Sequence, residues 1–347
     1  MYLWNCWYVA ACSAEVGRTP FARTLLDLPV MLYRTEAGTP VALEDRCCHR
    51  NLPLSLGAVE GDAIRCGYHG LKFDASGACI EIPGQSQIPP GAKVRRFPLI
   101  ERWKFLWIWL GDPARADPSL MPDWSYVDRP GTATVIGNGG KPLAMKCNWE
   151  LNNDNLMDLS HVFFVHRNTL GGAGFDRFPV KTERFERSVR MSRWNIDVAP
   201  TPIFAQYLNY KGNVDRWQIT VAEAPTHCAV DAGFAPTGQA DPDKESDRDR
   251  FIRFRPLITA TPETQSTSFM FYCHSRNFAA EDEALSARVM EDFRRVFYED
   301  IAVMEAQQRN NDRAGANIDI NADVPVLALR RLLRQMAAAE GNARPAA

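Results

Sequence analysis

Between residues 47 and 70 the chain places three of its nine cysteines and two of its six histidines. Written as spacings this is Cys47-x-His49, sixteen intervening residues, then Cys66-x-x-His69. Each loop offers one sulfur and one imidazole, so the fold around them must bring two loop tips together. From Pro29 to Leu110 the stretches "PVMLYRT", "PVALED", "AIRCGYHGLKF", "ACIEIPG" and "FLWIWL" alternate in the manner of strands, and "DASG" at 74–77 reads as a hairpin turn. A small all-β domain over residues 1–115 is expected.

Structural zinc sites usually take their ligands as C-x-x-C and H-x(3–5)-H pairs, which makes two mixed Cys/His pairs an unusual zinc pattern. The set suits a Rieske [2Fe-2S] centre instead, in which two thiolates hold one iron and two imidazoles the other. Cys48, between two of these residues, is read as a spectator thiol. A zinc-stabilised binding module is the alternative.

The composition allows one large core or two domains: 347 residues, 46 % hydrophobic and 24 % charged. Forty basic and 42 acidic residues give a net charge of -2, which leaves no field to gather nucleic acid or an anionic membrane. The opening "MYLWNCWYVAAC" lacks a basic leader and is read as the first strand. No apolar run approaches a bilayer span, so a cytoplasmic protein with reduced thiols is expected.

The proline-rich stretch "GDPARADPSLMPDWSYVDRPG" at 111–131 marks a boundary, with a linker over 116–145, a second domain over 146–340 and a frayed tail at 341–347. Within the second domain a helix is expected from 148, mostly strands over 180–275, and a polar surface loop at 238–250. A long helix then carries Leu285, Val289, Met290, Phe293, Val296, Phe297, Ile301 and Met304 at spacings of three and four.

A second metal-like cluster lies in "DNLMDLSHVFFVH", 154–166. Asp154, Asp158 and His161 would share one helix face. His166, five residues on, would not, unless the helix ends after His161 or a π-bulge turns it round. Asp300 falls on the apolar stripe of the long helix, where a lone carboxylate is costly. Two histidines and a carboxylate make the facial triad of non-heme Fe(II) oxygenases; a core salt bridge from Asp300 to Arg294 or Arg295 is the alternative.

The whole chain resembles the terminal oxygenases of the vanillate O-demethylase group, with arylsulfonate methyl-hydroxylating and dicamba-demethylating enzymes as relatives. The likeness runs through "NCWYVAA", "YHGLKFD", "EIPGQ", "WIWLGDPARADP", "DNLMDLSH", "DRWQI", "TPET" and "FYEDIAVMEAQQRN". Asn51 and Tyr68 stand where respiratory Rieske proteins carry disulfide cysteines, which places it in the oxygenase branch. The resemblance implies an α+β chain: an all-β Rieske domain, then a helix-grip-like catalytic domain with an antiparallel sheet and a long C-terminal helix. It implies that Cys47, His49, Cys66 and His69 hold the [2Fe-2S] cluster and that His161, His166 and Asp300 hold a mononuclear Fe(II). It also implies a homotrimer in which Asp158 bonds a Rieske histidine, His69, of the neighbouring chain, and it places Asn155 near the iron.

The implied activity is a monooxygenase that hydroxylates or O-demethylates a small aromatic acid, vanillate-like, using O2. Methyl hydroxylation of an arylsulfonate and ether cleavage of a phenoxybenzoate are alternatives, and an electron carrier of the Rieske type is the rival from another class. The chain has no G-x-G-x-x-G fingerprint, so an NAD(P)H-dependent flavin or iron-sulfur reductase is expected as partner. Arg190, Arg193, Lys211, Arg216, Arg253 and Arg255 are candidates to meet a substrate anion. Phe163, Phe164 and Phe271 are candidate pocket walls. "RPLITA" and "VMEDFRR" differ from the substrate-contacting stretches of the dicamba-cleaving relatives, which argues against dicamba itself. His227 and His274 are read as satisfied core histidines.

Overall fold

The computed structural model describes residues 1–171, 178–201, 212–241, 244–311 and 317–341. Ten strands occupy the first part: β1 (Trp7–Cys12), β2 (Phe21–Leu25), β3 (Leu28–Arg34), β4 (Pro40–Glu44), β5 (Ala58–Glu60), β6 (Ala63–Arg65), β7 (Lys72–Phe73), β8 (Cys79–Glu81), β9 (Leu99–Arg102) and β10 (Phe105–Trp109). They form three small sheets, ordered β1-β10-β9, β2-β3-β4 and β5-β6-β7-β8. The expected turn at 74–77 joins β7 to β8. Asp74 accepts the Ser76 N–H at 2.8 Å, and Gly77 sits at φ +86°, where a Cβ would meet the Val94 carbonyl at 2.3 Å.

Eight strands follow: β11 (Ala133–Ile136), β12 (Leu143–Met145), β13 (Lys181–Arg184), β14 (Ser188–Val198), β15 (Val214–Glu223), β16 (His227–Pro236), β17 (Ile252–Pro262) and β18 (Ser268–Arg276). All are antiparallel in one sheet of order β11-β18-β17-β16-β15-β14-β13, with β12 also on β18. Among the described residues the α-helices are α1 (Trp149–Leu156), α2 (Val162–Val165), α3 (Glu245–Arg248), α4 (Glu283–Asn311) and α5 (Val324–Ala339). β11 and β12, inside the 116–145 stretch, join the large sheet. The polar 238–250 loop contains α3, whose Arg248 is buried and donates to Asp231 at 3.2 Å.

Alternation along β17 and β18 divides the core. Phe254, Ile258, Ala260, Met270 and Tyr272 pack with the apolar stripe of α4, while Leu257, Phe271 and Cys273 pack with Trp7, Trp107 and Trp109 of the β1-β10-β9 sheet. The large sheet therefore has the long helix on one face and the N-terminal strands on the other. A carboxylate on the stripe of α4 must consequently face the sheet. The α+β arrangement read from the sequence stands, with α5 as an additional helix packing its Val326, Leu329, Leu333 and Ala337 into the same core. Among the described residues, no helix is long and apolar enough to cross a membrane.

His227 ties the two parts together. Its Nε2–H donates to the Trp7 carbonyl at 2.9 Å and its Nδ1 accepts from the Thr259 hydroxyl at 3.0 Å, so it is the satisfied core histidine expected. Burial pushes its pKa down to about 4. The unfolded chain, with an ordinary value of about 6.5, binds the extra proton between those two limits, so stability falls as pH falls through that window. The expected contribution is about 1.4 kcal/mol per pH unit. Urea midpoints from pH 7 to 4.5 should show a shallower acid slope in His227→Gln than in wild type; equal slopes would contradict the assignment.

Candidate active site

The two loops "CCHRN" and "CGYHG" close in the same way. The Cys47 N–H donates to the Leu52 carbonyl and the Asn51 N–H to the Cys47 carbonyl, at 2.9 and 3.0 Å; Cys66 donates to Leu71 and Gly70 to Cys66, at 2.8 and 3.2 Å. The closing residue of each turn has positive φ, +58° at Asn51 and +74° at Gly70, the two residue types that adopt it most readily. Cys47 and Cys66 are buried and His49 and His69 exposed, with the two imidazole centroids 4.5 Å apart. Burial, and then the Cys66 thiol beside it, push the Cys47 thiol up to about 11. Metal binding would take the place of the thiol proton, and two sulfurs beneath two imidazoles fit a mixed Cys/His cluster.

The second group is assembled from α1, α2 and α4. Asn148 caps α1 by accepting the Glu150 N–H at 2.7 Å. The helix ends at Leu156, earlier than its spacing predicts, because the Asp158 carboxylate accepts the Ser160 N–H at 2.6 Å and competes with the helical pattern. Asp154, Asp158 and His161 therefore do not share a helix face. Asp154 pairs with Arg330 of α5 at 2.9 Å. One helical turn, α2, starts after His161 and delivers His166, with no π-bulge.

Ligand atoms of His161, His166 and Asp300 all lie within 4.8 Å of one another. Asp300 is 4 % exposed, and its Oδ1 is 3.0 Å from His166 Nε2 and 3.4 Å from His161 Nε2. The same oxygen accepts from Asn155 Nδ2 at 3.0 Å. Burial works to raise the Asp300 pKa, but the two imidazoles outweigh it and hold it below the ordinary carboxylate range. Burial likewise works to lower the His166 pKa, and Asp300 and Glu299 reverse the shift upward. The salt-bridge alternative is not what forms: Arg294 and Arg295 pair with Glu291. Two imidazoles and one carboxylate on one side of a buried space fit a facial triad with open positions. Asp158 lies beside it, Oδ2 3.8 Å from His161 Nδ1.

Glu299 is the functional residue the sequence does not single out. Its Oε2 accepts from His166 Nδ1 at 2.7 Å and from the Thr169 hydroxyl at 3.2 Å, which fixes the ring and aims Nε2 at Asp300. The signal available was only an acidic doublet on a helix. Glu299→Gln should weaken Fe(II) affinity roughly 10- to 100-fold and leave [2Fe-2S] content unchanged; unaltered affinity in an Fe(II) titration would contradict this role.

A cavity of about 80 Å³ opens beside the triad, walled by Phe293, Val296 and Phe297 of α4 and floored by Gln218, Thr220 and Ile258 of the sheet. An apolar cavity of about 150 Å³ binds benzene, so an aromatic ligand enters here only by displacing side chains. Of the proposed aromatic walls, Phe164 is exposed, Phe271 packs on the opposite face of the sheet, and Phe163 is not among the lining residues. Of the candidate cations, Arg190 pairs with Glu183, Arg253 with Asp231, Glu245 and Asp249, and Arg255 lies near Glu245. Arg193 stands across from cavity-lining Gln218, and Arg216 opposes Asn195 further along the same strands; Lys211 lies outside the described residues.

Comparison with known proteins gives this geometry its context. Residues 6–98 match the Rieske [2Fe-2S] domain and residues 145–339 the vanillate O-demethylase oxygenase C-terminal domain. A toluene-4-sulfonate monooxygenase system iron-sulfur subunit of Comamonas testosteroni is 40 % identical over 89 % of this chain and 89 % of its own. A vanillate O-demethylase oxygenase subunit of a Pseudomonas strain is 32 % identical over 100 % of this chain and 98 % of its own. The crystal structure of dicamba monooxygenase bound to 3,6-dichlorosalicylic acid superposes with a TM-score of 0.90 at 30 % identity, covering 99 % of both chains. A bare electron carrier would match only the first of these domains, and a zinc module neither. The chain belongs to the Rieske non-heme iron oxygenase family, as an oxygenase component of the vanillate O-demethylase group carrying a [2Fe-2S] cluster and a mononuclear iron.

Proposed function

We propose that this oxygenase acts on a methyl or methoxy group of a small aromatic acid, with Cys47, His49, Cys66 and His69 holding the cluster and His161, His166 and Asp300 holding the iron. The observation that carries this reading is the three-residue group, with its atoms within 4.8 Å, at the end of an aromatic-walled cavity. The metals supply electron delivery and oxygen activation. The chain's own residues supply position: Glu299 fixes His166, Asn155 holds Asp300, and the walls of α4 exclude water and keep the reacting methyl near the triad. For a methoxyarene the balance is one O2, two electrons and two protons consumed; one oxygen atom enters the methyl, the hemiacetal loses formaldehyde to leave the phenol, and the other oxygen leaves as water. A separate NAD(P)H-dependent reductase supplies the electrons. The higher identity to the toluene-4-sulfonate system favours a second reading within this class, hydroxylation of an arylsulfonate methyl.

The division of the chain that goes with this reading is a Rieske domain over 1–115 and a catalytic domain over 146–340. The assembly is a trimer in which His69 of one chain meets Asp158 of the next. Two features support it. The Rieske tip is exposed at His49, His69 and Tyr68. A separate groove of about 500 Å³, lined by Val303, Gln307 and Asp319 among others, leads from the surface to Asp158 and His161. The test is oxygen uptake by the reduced holoenzyme with 4-methoxybenzoate, vanillate, 4-toluenesulfonate and 3-phenoxybenzoate, scoring formaldehyde and benzylic alcohol. Formaldehyde from a methoxybenzoate supports demethylation and alcohol from the sulfonate supports the second reading. Neither product from any of them would overturn the proposal.

A further inference from the structure

The cavity floor can be followed strand by strand. Met191 of β14 pairs with Thr220 of β15, Thr220 with Val230 of β16, and Pro256 of β17 with His274 of β18. Thr220, Val230 and Pro256 all line the cavity. Cross-strand partners point to the same side of a sheet, so His274 shares the cavity's face of the sheet and stands next to Pro256, behind the residues that line the cavity. Its ring centroid lies 4.1 Å from that of Phe293, itself a cavity wall, and 5.3 Å from that of Phe254.

This imidazole is not the satisfied core histidine its sequence context suggests. It is 3 % exposed, and its Nε2 has no hydrogen-bond partner among the described residues. His227, the other histidine outside the metal clusters, has both nitrogens bonded. A buried polar nitrogen is costly to leave unpaired, and the rings of Phe254, Pro256 and Phe293 offer it no acceptor. Burial, and then the nearby Arg276 charge, lower its pKa to about 3, so near neutral pH the ring is uncharged and carries one N–H. Arg276, two residues on and on the same face, is held by the carbonyls of Phe278, Ala279 and Asp282. Its fixed positive charge favours an anion beside the imidazole.

The placement relative to the triad defines what fits. Phe293 precedes Asp300 by seven residues, two helical turns or about 10 Å along α4. A benzene ring whose methyl group faces the triad would therefore present its opposite substituent at the Phe293 end.

We propose that His274 is a specificity-determining residue, donating its Nε2–H to an acid oxygen of the substrate, carboxylate or sulfonate, on the side of the ring remote from the reacting methyl. This rests on the aromatic-acid reading of the site. The test is binding to the iron-loaded holoenzyme, followed by tryptophan fluorescence, of three probes: 4-methylbenzoate, 4-toluenesulfonate and the uncharged 4-methylanisole. His274→Phe is expected to weaken one or both acids at least about tenfold and to leave 4-methylanisole within about threefold. His274→Gln, which keeps a donor, should recover part of the loss, and it carries the comparison if the Phe variant fails to fold. Which acid suffers more separates a carboxylate from a sulfonate subsite. Unchanged acid binding in both variants, or equal losses for acids and 4-methylanisole, would overturn the role of His274 alone. Wild type that binds neither acid would overturn the aromatic-acid reading and this proposal with it.

Discussion

Asp300→Ala should purify with its [2Fe-2S] spectrum intact and about two irons per chain instead of about three, with no detectable turnover. Asp300 is the only carboxylate among the three clustered residues, and it sits between both imidazoles and the Asn155 amide. Removing it would take away the one anionic member of the proposed ligand set and leave two neutral nitrogens, too few to hold Fe(II) at ordinary iron concentrations. Asp300→Asn separates charge from packing: it keeps the shape of the buried side chain and should lose the iron as well. Retention of a third iron in either variant would show that the metal is held elsewhere.

The second large effect is expected at the other centre. Cys66→Ala should be colourless, with about one iron per chain, no acid-labile sulfide and no cluster EPR signal. Both sulfurs are buried under the two loop turns, and metal binding contributes directly to the stability of such a tip. Limited proteolysis should accordingly cut the 47–70 region faster than in wild type while the α4 region stays protected. Cys48→Ala, which removes an exposed thiol, is the control and should keep colour, iron and turnover. Loss of the cluster in Cys48→Ala, or its survival in Cys66→Ala, would reassign the ligands.

The two centres differ in how far the sequence reveals them, and the reason is distance along the chain. Cys47, His49, Cys66 and His69 sit on two short turns, so their spacing alone carries the chemistry. Asp300 was visible because an acid interrupts an otherwise apolar helical stripe. His166 was harder: periodicity extends α1 past its end, since nothing in a hydrophobic pattern registers that Asp158 bonds the Ser160 N–H and stops the helix. Glu299 is not singled out by any sequence pattern, and only the fold shows its carboxylate accepting from His166. α5 has the spacing of Val326, Leu329 and Leu333, but Leu327, Leu332 and the alanines blur its apolar face.

The cavity was the least legible part. Its floor is drawn from β15, β16 and β17, and its wall from α4, elements more than sixty residues apart in places. Cross-strand register decides which side chains meet there, and register follows from the folded sheet. For that reason the aromatic residues near His161 were the natural candidates for walls, while Phe293 and Phe297, on the helix stripe, read as plain core.

The most direct test of the whole account is an iron and acid-labile sulfide count on the purified wild-type protein, with EPR of the dithionite-reduced sample. Two centres built from these seven residues require about three irons and two sulfides per chain and a mixed Cys/His cluster signal. Two irons with that signal would leave a Rieske electron carrier and no oxygenase site, and zinc without a signal would contradict both assignments.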